Sequence, residues 1–259
     1  MFSRIVLLLA LVSFGPRAWT QTDLQKGISW YEQRTEGAVG IQAKREPIDQ
    51  AILHLRKALA TPQTELQASI YLCRSYIFKG RFIETDSRHR SKALEQAKII
   101  GEQMLKKYPN NRELRFEHLA GLGLWGESIG VIRAATEGIA TRMKEACEAM
   151  IHLDPEFMNG VGKRSLAVLN YKVPSIPFII SWPDKKKSMA LMTEVMASYP
   201  NDLGNTFYYA EALYENGRGN EALLYLQQVL AFAPDKNHLL EHRVMHLEAK
   251  KLLQKIKGK

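Results

Sequence analysis

The chain has 259 residues, 46% of them apolar and 24% charged, with 36 Lys and Arg against 27 Asp and Glu. This is the composition of a folded soluble protein, long enough for one large domain or two small ones, and no low-complexity tract marks a disordered chain. The excess cations are scattered rather than gathered into a stripe, which argues against nucleic-acid binding and suits acidic partners or anionic surfaces.

The first residues carry Arg4, an unbroken apolar run from Ile5 to Val12, and the helix-breaking pair Gly15-Pro16. A run this short cannot span a bilayer, so residues 1–20 read as a secretory signal, with cleavage expected near Thr20. No cysteine lies near that junction, so the usual N-terminal lipid attachment is not expected, and a periplasmic protein is. Without Arg4 and Arg17 the balance is 34 cations to 27 anions, or +7. The two cysteines, Cys73 and Cys147, each sit inside an apolar helical pattern and read as small buried side chains rather than a disulfide.

Four junctions recur along the chain: Tyr108-Pro109-Asn110, Asp154-Pro155-Glu156, Tyr199-Pro200-Asn201 and Ala233-Pro234-Asp235, with a weaker one at Thr61-Pro62. Each follows a helical apolar pattern and stops it, because the residue before proline avoids the α region and proline can open the next helix. Successive prolines are 47, 46, 45 and 34 residues apart. The last spacing is the tetratricopeptide period, and the others equal that period plus an insertion of about a dozen residues.

The pattern predicts an all-α, right-handed superhelix of five helical hairpins occupying residues 21–62, 63–109, 110–155, 156–200 and 201–234 as one solenoid domain. First helices are expected near 23–36, 64–80, 111–125, 157–171 and 203–216, and second helices near 47–60, 89–107, 137–152, 184–198 and 219–232. A capping helix over 238–256 covers the apolar face that the last hairpin would expose. The clearest hairpin places Tyr209, Ala210 and Leu213 on its first helix, Gly217 at its turn, and Ala222, Leu226 and Val229 on its second.

Several segments bear candidate binding residues. In the third hairpin, Gly121, Gly123, Gly126 and Gly130 surround Trp125; they leave room either for a ligand beside Trp125 or for close packing of helices around it. In the fourth, Asn159, Gly160, Gly162 and Arg164 open a helix, and Arg164 can hold a carboxylate or phosphate by a two-point hydrogen bond or pin a neighbouring helix end through its carbonyls. Tyr171 follows on that helix. Then comes KVPSIPFIISWPDKKK, where Pro174, Pro177 and Pro183 forbid a helix. Its Phe178, Ile179, Ile180 and Trp182 must bury against the solenoid edge, a partner subunit or a ligand. In the fifth hairpin Phe207, Glu211 and Tyr214 fall where first helices line a concave groove. His238, His242 and His246, four residues apart on the last helix, are a weak candidate for a metal site set against a solvated histidine face. No catalytic motif is present, so no enzyme activity and no cofactor are expected.

From about Arg112 to Pro234 the chain resembles the T-component family of TRAP transporter systems, periplasmic tetratricopeptide proteins. The matching residues are Gly123-Leu124-Trp125, Leu153-Asp154-Pro155, the run Asn159 to Arg164, Lys172-Val173-Pro174, and the run Ala210 to Gly217. The resemblance implies a periplasmic accessory of solute uptake that docks with a solute-binding protein, forms oligomers in some members, and holds or passes an apolar or organic-acid ligand. Its members are commonly lipoproteins, and this chain lacks the cysteine. The alternative expectation is a general envelope scaffold that binds other proteins through its concave groove.

Overall fold

The structure, a computed structural model, describes residues 22–176 and 178–258. The expected signal segment lies outside the described residues. Within them the chain forms twelve α-helices: α1 (Asp23–Glu32), α2 (Arg45–Leu59), α3 (Glu65–Phe82), α4 (Ser87–Lys107), α5 (Arg112–Ile129), α6 (Val131–Thr136), α7 (Ile139–Leu153), α8 (Phe157–Lys172), α9 (Lys185–Ser198), α10 (Leu203–Glu215), α11 (Gly219–Ala231) and α12 (Leu239–Lys257). The β-type pairings among them are two isolated bridges, Val39 with Gln42 and Ile176 with Ile180. No described helix is long and apolar enough to cross a membrane.

The helix ends follow from local chemistry. Helices α4, α7, α9 and α11 stop at Lys107, Leu153, Ser198 and Ala231, just ahead of Pro109, Pro155, Pro200 and Pro234, where the pre-proline residue is driven out of the α region. Helices α4, α5 and α10 begin on short polar side chains. The carboxylate of Asp86 accepts from His89 N, the side-chain oxygen of Asn111 from Leu114 N and that of Asp202 from Asn205 N, satisfying backbone donors that a helix start leaves unpaired. At the N-terminal end Thr22 and Gln25 exchange side-chain and backbone hydrogen bonds in a capping box.

Helices that are adjacent in sequence pack together, with α1 against α2, α3 against α4, α8 against α9 and α10 against α11. The expected helices are present, with four differences: α5 runs on to Ile129, four residues past its expected end, Met158 to Gly160 at the start of α8 are left-handed, and two more lie in the first and third hairpins. Helix α1 ends at Glu32, four residues early, because the chain turns through Gly37 and Gly40 at positive φ to form the Val39–Gln42 bridge. Between the helices of the third hairpin stands α6, a six-residue helix the sequence pattern did not predict, bounded by Gly130 and Gly138, both at positive φ.

One glycine sets the spacing of α4 and α5. A Cβ on Gly121 would lie 3.1 Å from Ala97 Cβ and 3.3 Å from Lys98 N, so backbone rather than a flexible side chain blocks any larger residue. Gly121→Val is expected to cost about 1–3 kcal/mol through forced separation of the two helices, measured as a lower urea midpoint with an unchanged slope.

The last helix does more than cap the end. Its C-terminal half, through Ala249, Leu252, Leu253 and Ile256, packs with Leu213, Leu226 and Val229 of α10 and α11. Its N-terminal half returns to the start of the chain: Leu240 is fully buried in the cluster of Ile48, Leu55, Leu72 and Phe78, and Val244 packs against the same cluster. Arg243 donates to Gly40 O at 2.8 Å, and Arg34 donates to Asn237 O. Helix α12 thus joins the two ends of the helix array.

Candidate functional site

A strongly apolar hollow, a crevice of about 370 Å³, is bounded by α5, α6, α7 and α8 and roofed by the segment after α8. Gly123, Gly126 and Gly130 form its floor, Val131, Ile139, Ala140 and Met143 one wall, and Val168, Leu169 and Val173 the other. Close packing accounts for Gly121, Gly123 and Gly126 alike, since a Cβ on Gly123 would lie 2.6 Å from Met143 Cε and one on Gly126 2.8 Å from Ile139 Cγ2, while Gly130 has open space around it.

The roof explains the proline-rich insertion. Ile176 N donates to Ile180 O at 2.9 Å and Ile180 N donates to Ile176 O at 2.8 Å, so the chain reverses in a tight turn. Ile176 and Ile180 line the crevice, while Phe178 and Ile179 at the tip are exposed. Phe178 has φ 64, a left-handed conformation that a side-chain-bearing residue adopts only when its surroundings impose it. Burial of Phe178 and Ile179 within the chain, one of the three expected outcomes, is excluded by this geometry. Trp182 does turn inward, packing with Leu169, Val173 and Leu191, with its Nε1 buried and unpaired. On α6, Val131, which lines the crevice, and its neighbour Ile132 are also exposed.

Two charged residues, Glu127 and Lys172, line the crevice. Lys172 Nζ lies 3.0 Å from Glu211 Oε2, and the Tyr171 hydroxyl donates to the same carboxylate oxygen at 2.7 Å. Burial, with the Glu211 charge beside it, pushes the Tyr171 phenol well above its usual range, so it stays protonated and donates. The fold therefore brings together two of the sequence candidates, Tyr171 and Glu211, and adds Lys172 between them and the crevice. Lys172 was passed over in the sequence because a lysine at a helix end ordinarily complements the helix dipole.

The remaining candidates are dispersed. Trp125 is 2% exposed and packs with Leu94, Leu122 and Ile139, with Lys98 Nζ 4.0 Å above its ring; it is a core side chain that does not line the apolar crevice but borders a separate, more polar hollow with Ser128 and Arg133. Phe207 is 4% exposed in the cluster with Leu213 and Leu226 and does not line a groove. Helix α10 packs with α8, α9, α11 and α12, and of the residues expected in the groove Phe207 is buried while Glu211 and Tyr214 stay partly exposed. Tyr214 faces Lys255 of α12, whose Nζ lies 4.9 Å from its ring centroid. Arg164 Nη1 donates to Asn205 Oδ1 at 2.6 Å and to Asp202 Oδ1 at 3.2 Å. It pins the start of α10, the second of the two roles expected for it.

The three histidines do not converge on one point. His238 and His242 have ring centroids 5.9 Å apart, and His246 buries its Nε2 without a partner. Among the described residues no group of three His, Cys, Asp or Glu side chains is disposed to hold a metal. Cys73 and Cys147 are both free and buried; burial pushes the Cys147 thiol up to about 12, which keeps it unreactive at neutral pH. Comparison of the sequence with models of known protein families gives no match, and comparison with curated proteins gives none either.

Proposed function

We propose that this chain is a tetratricopeptide-type superhelix of five hairpins and a closing helix, acting in the periplasm as a non-catalytic accessory of solute uptake. In this reading it holds an apolar ligand in the α5–α8 crevice and docks with a solute-binding protein, as the resemblance to TRAP T-components implies. The observation that carries it is the crevice itself: about 370 Å³ lined by glycine, alanine and aliphatic side chains, with its charged groups confined to Glu127 and Lys172. Such a hollow disfavours a polar guest, because polar groups desolvated there would find few partners. The proline-bracketed tip supports docking, since Phe178, Ile179, Val131 and Ile132 gather exposed apolar surface that water alone does not favour.

The alternative reading, a scaffold working through a concave groove, draws less support. It relied on Phe207 and Tyr214, of which the first is buried and the second is partly exposed with Lys255 of α12 over its ring. Periplasmic export rests on the N-terminal apolar run and is proposed on that ground alone.

Fluorescence of N-phenylnaphthylamine tests the crevice. The dye is expected to bind saturably to the purified protein, and Ala140→Trp, which fills the hollow from α7, is expected to weaken binding roughly a hundredfold by occupying the space. Equal dye binding by the two proteins, with native mass spectrometry finding no retained ligand in either, would remove the reading. In parallel, co-purification of a solute-binding protein is expected to be lost with Phe178→Asp.

A further inference from the structure

The segments that join the two helices of a hairpin meet in series along one edge of the array. Ala43 N, after α1, donates to Phe82 O at the end of α3, and Arg45 pairs with Glu84 at 2.8 Å. Ser91 Oγ, near the start of α4, lies 3.1 Å from Ser128 Oγ near the end of α5. Val131 of α6 and Ile180 after α8 line the same apolar crevice. The first four hairpins therefore present their inner turns side by side. Because each helix is entered at one edge and left at the other, the proline junctions between hairpins fall on the opposite edge.

Exposed apolar side chains gather on the inner-turn edge. Among the described residues the large apolar side chains most open to water are Val39, Val131, Ile132, Phe178 and Ile179, each at least 64% exposed, and all five belong to these turns. Left-handed backbone accompanies every one of these tips: Gly37 and Gly40 flank Val39, Gly130 and Gly138 bound α6, and Phe178 is itself at φ 64. A Cβ on Gly40, Gly130 or Gly138 would meet nothing within 4 Å, so the turns stand clear of the array. Scattered singly over a surface such side chains carry no meaning, but gathered on one edge they mark a contact.

Charge on this edge is left unused by the chain. Arg88 and Lys92, one turn apart on α4, and Lys186 and Lys187 at the start of α9 have no ion pair among the described residues. Arg88, Lys92 and Arg133 also line the polar hollow beside Trp125, about 350 Å³ in volume, where Glu95 is the one acid. On the opposite edge the pattern is reversed. There Lys107, Arg112 and Arg164 are each paired with an acid of another junction, Glu65, Asp154 and Asp202 respectively.

Apolar tips thus alternate with unpaired cations over four hairpins, farther than the docking tip extends. An acidic protein would match the cations but would need a separate pocket for each tip. A lipid surface offers both at once, anionic at its face and apolar just beneath. We propose that this edge lies on a membrane surface bearing anionic phospholipids, with Val39 and Ile132 entering the headgroup layer and Arg88, Lys92 and Lys186 meeting the phosphates. The chain's excess of cations adds attraction at longer range. Membrane contact of this kind goes beyond the solute-uptake reading and does not rest on the apolar crevice. Phe178 belongs to both surfaces, so the variants that test this edge spare it.

Flotation with vesicles is the test, using the chain from residue 21 onward because the apolar run from Ile5 to Val12 would bind lipid by itself. Vesicles of phosphatidylethanolamine and phosphatidylglycerol in a three-to-one ratio are compared with phosphatidylcholine alone. The anionic vesicles are expected to bind at least roughly tenfold more tightly, and to lose that advantage as salt is raised to about 0.5 M. Arg88→Gln with Lys92→Gln is expected to weaken binding roughly tenfold or more, since each cation near such a surface contributes a factor of about five. Lys57→Gln with Lys106→Gln removes the same charge from the last turns of α2 and α4, on the opposite edge, and is expected to leave affinity within about twofold. Val39→Asp, at a side chain 80% exposed, is expected to weaken binding roughly tenfold with the thermal midpoint unchanged. Binding of N-phenylnaphthylamine in the apolar crevice should be the same in all these variants, which separates failure here from failure of that reading. Equal binding to both vesicle types, binding to neither, equal losses from the two paired variants, or Val39→Asp binding as the native chain does would each overturn membrane contact through this edge.

Discussion

Arg74→Met is expected to destabilise the protein by about 3–5 kcal/mol near neutral pH, because it strands a buried carboxylate. Glu117 on α5 is 5% exposed, and Arg74 Nε on α3 donates to its Oε1 at 2.8 Å, with Nη2 reaching the more exposed Glu113 at 3.2 Å. Burial raises the Glu117 pKa above the usual carboxylate range, with the Arg74 charge opposing the rise. Removing the guanidinium leaves burial unopposed, so the pKa moves further up. The sign follows from proton uptake: a carboxyl with a raised folded pKa binds its proton more tightly in the native state, so stability falls as pH rises from the unfolded value through the folded one. Urea unfolding at about pH 5 and about pH 7.5 should therefore show the variant losing less at the lower pH. Arg74→Met with Glu117→Leu should recover much of the loss, since two apolar side chains leave no orphaned charge. A loss independent of pH would mean that Arg74 acts by packing on Tyr71, over whose ring its Cζ lies at 5.1 Å.

The helices were legible because their signals are local. Proline stops, short polar caps and apolar spacing operate within a turn or two, so α2 to α5 and α7 to α11 fall close to the expected spans. What depends on distant contacts was not legible. Phe207 was assigned to a groove by its place in a repeat, yet it is buried in the cluster with Leu213 and Leu226. Arg164 gave a signal, an arginine among glycines, that fitted two roles equally, and only the position of Asp202 and Asn205 separates them. The apolar crevice was half visible: the α5 glycines and the proline-bracketed insertion were each noticed, and their meeting across α6 was not, because a six-residue helix carries too little periodicity to be recognised.

Leu240→Ala is expected to loosen the first hairpin from the far end of the chain. Leu240 is fully buried, and the core cluster it belongs to is otherwise built from the first half of the chain, including Ile48, Leu55, Leu72 and Phe78, while the rest of α12 is anchored on α10 and α11. Truncating a fully buried leucine costs about 2–5 kcal/mol, the higher end applying where neighbours cannot collapse into the space. Where the loss appears is the informative part. In an array whose helices touch mainly their neighbours, a defect at the last helix would leave the first hairpin unaffected. Here α12 bridges both ends, and Arg243 donating to Gly40 O reinforces the contact. Amide hydrogen exchange should therefore show protection lost in α1 and α2 as well as in the first half of α12, while α8 and α9 keep theirs. Loss confined to α12 would mean that the helix merely rests on the first hairpin. Loss at both ends would mean that closure by Leu240 holds the array together, and that opening it would release both termini at once.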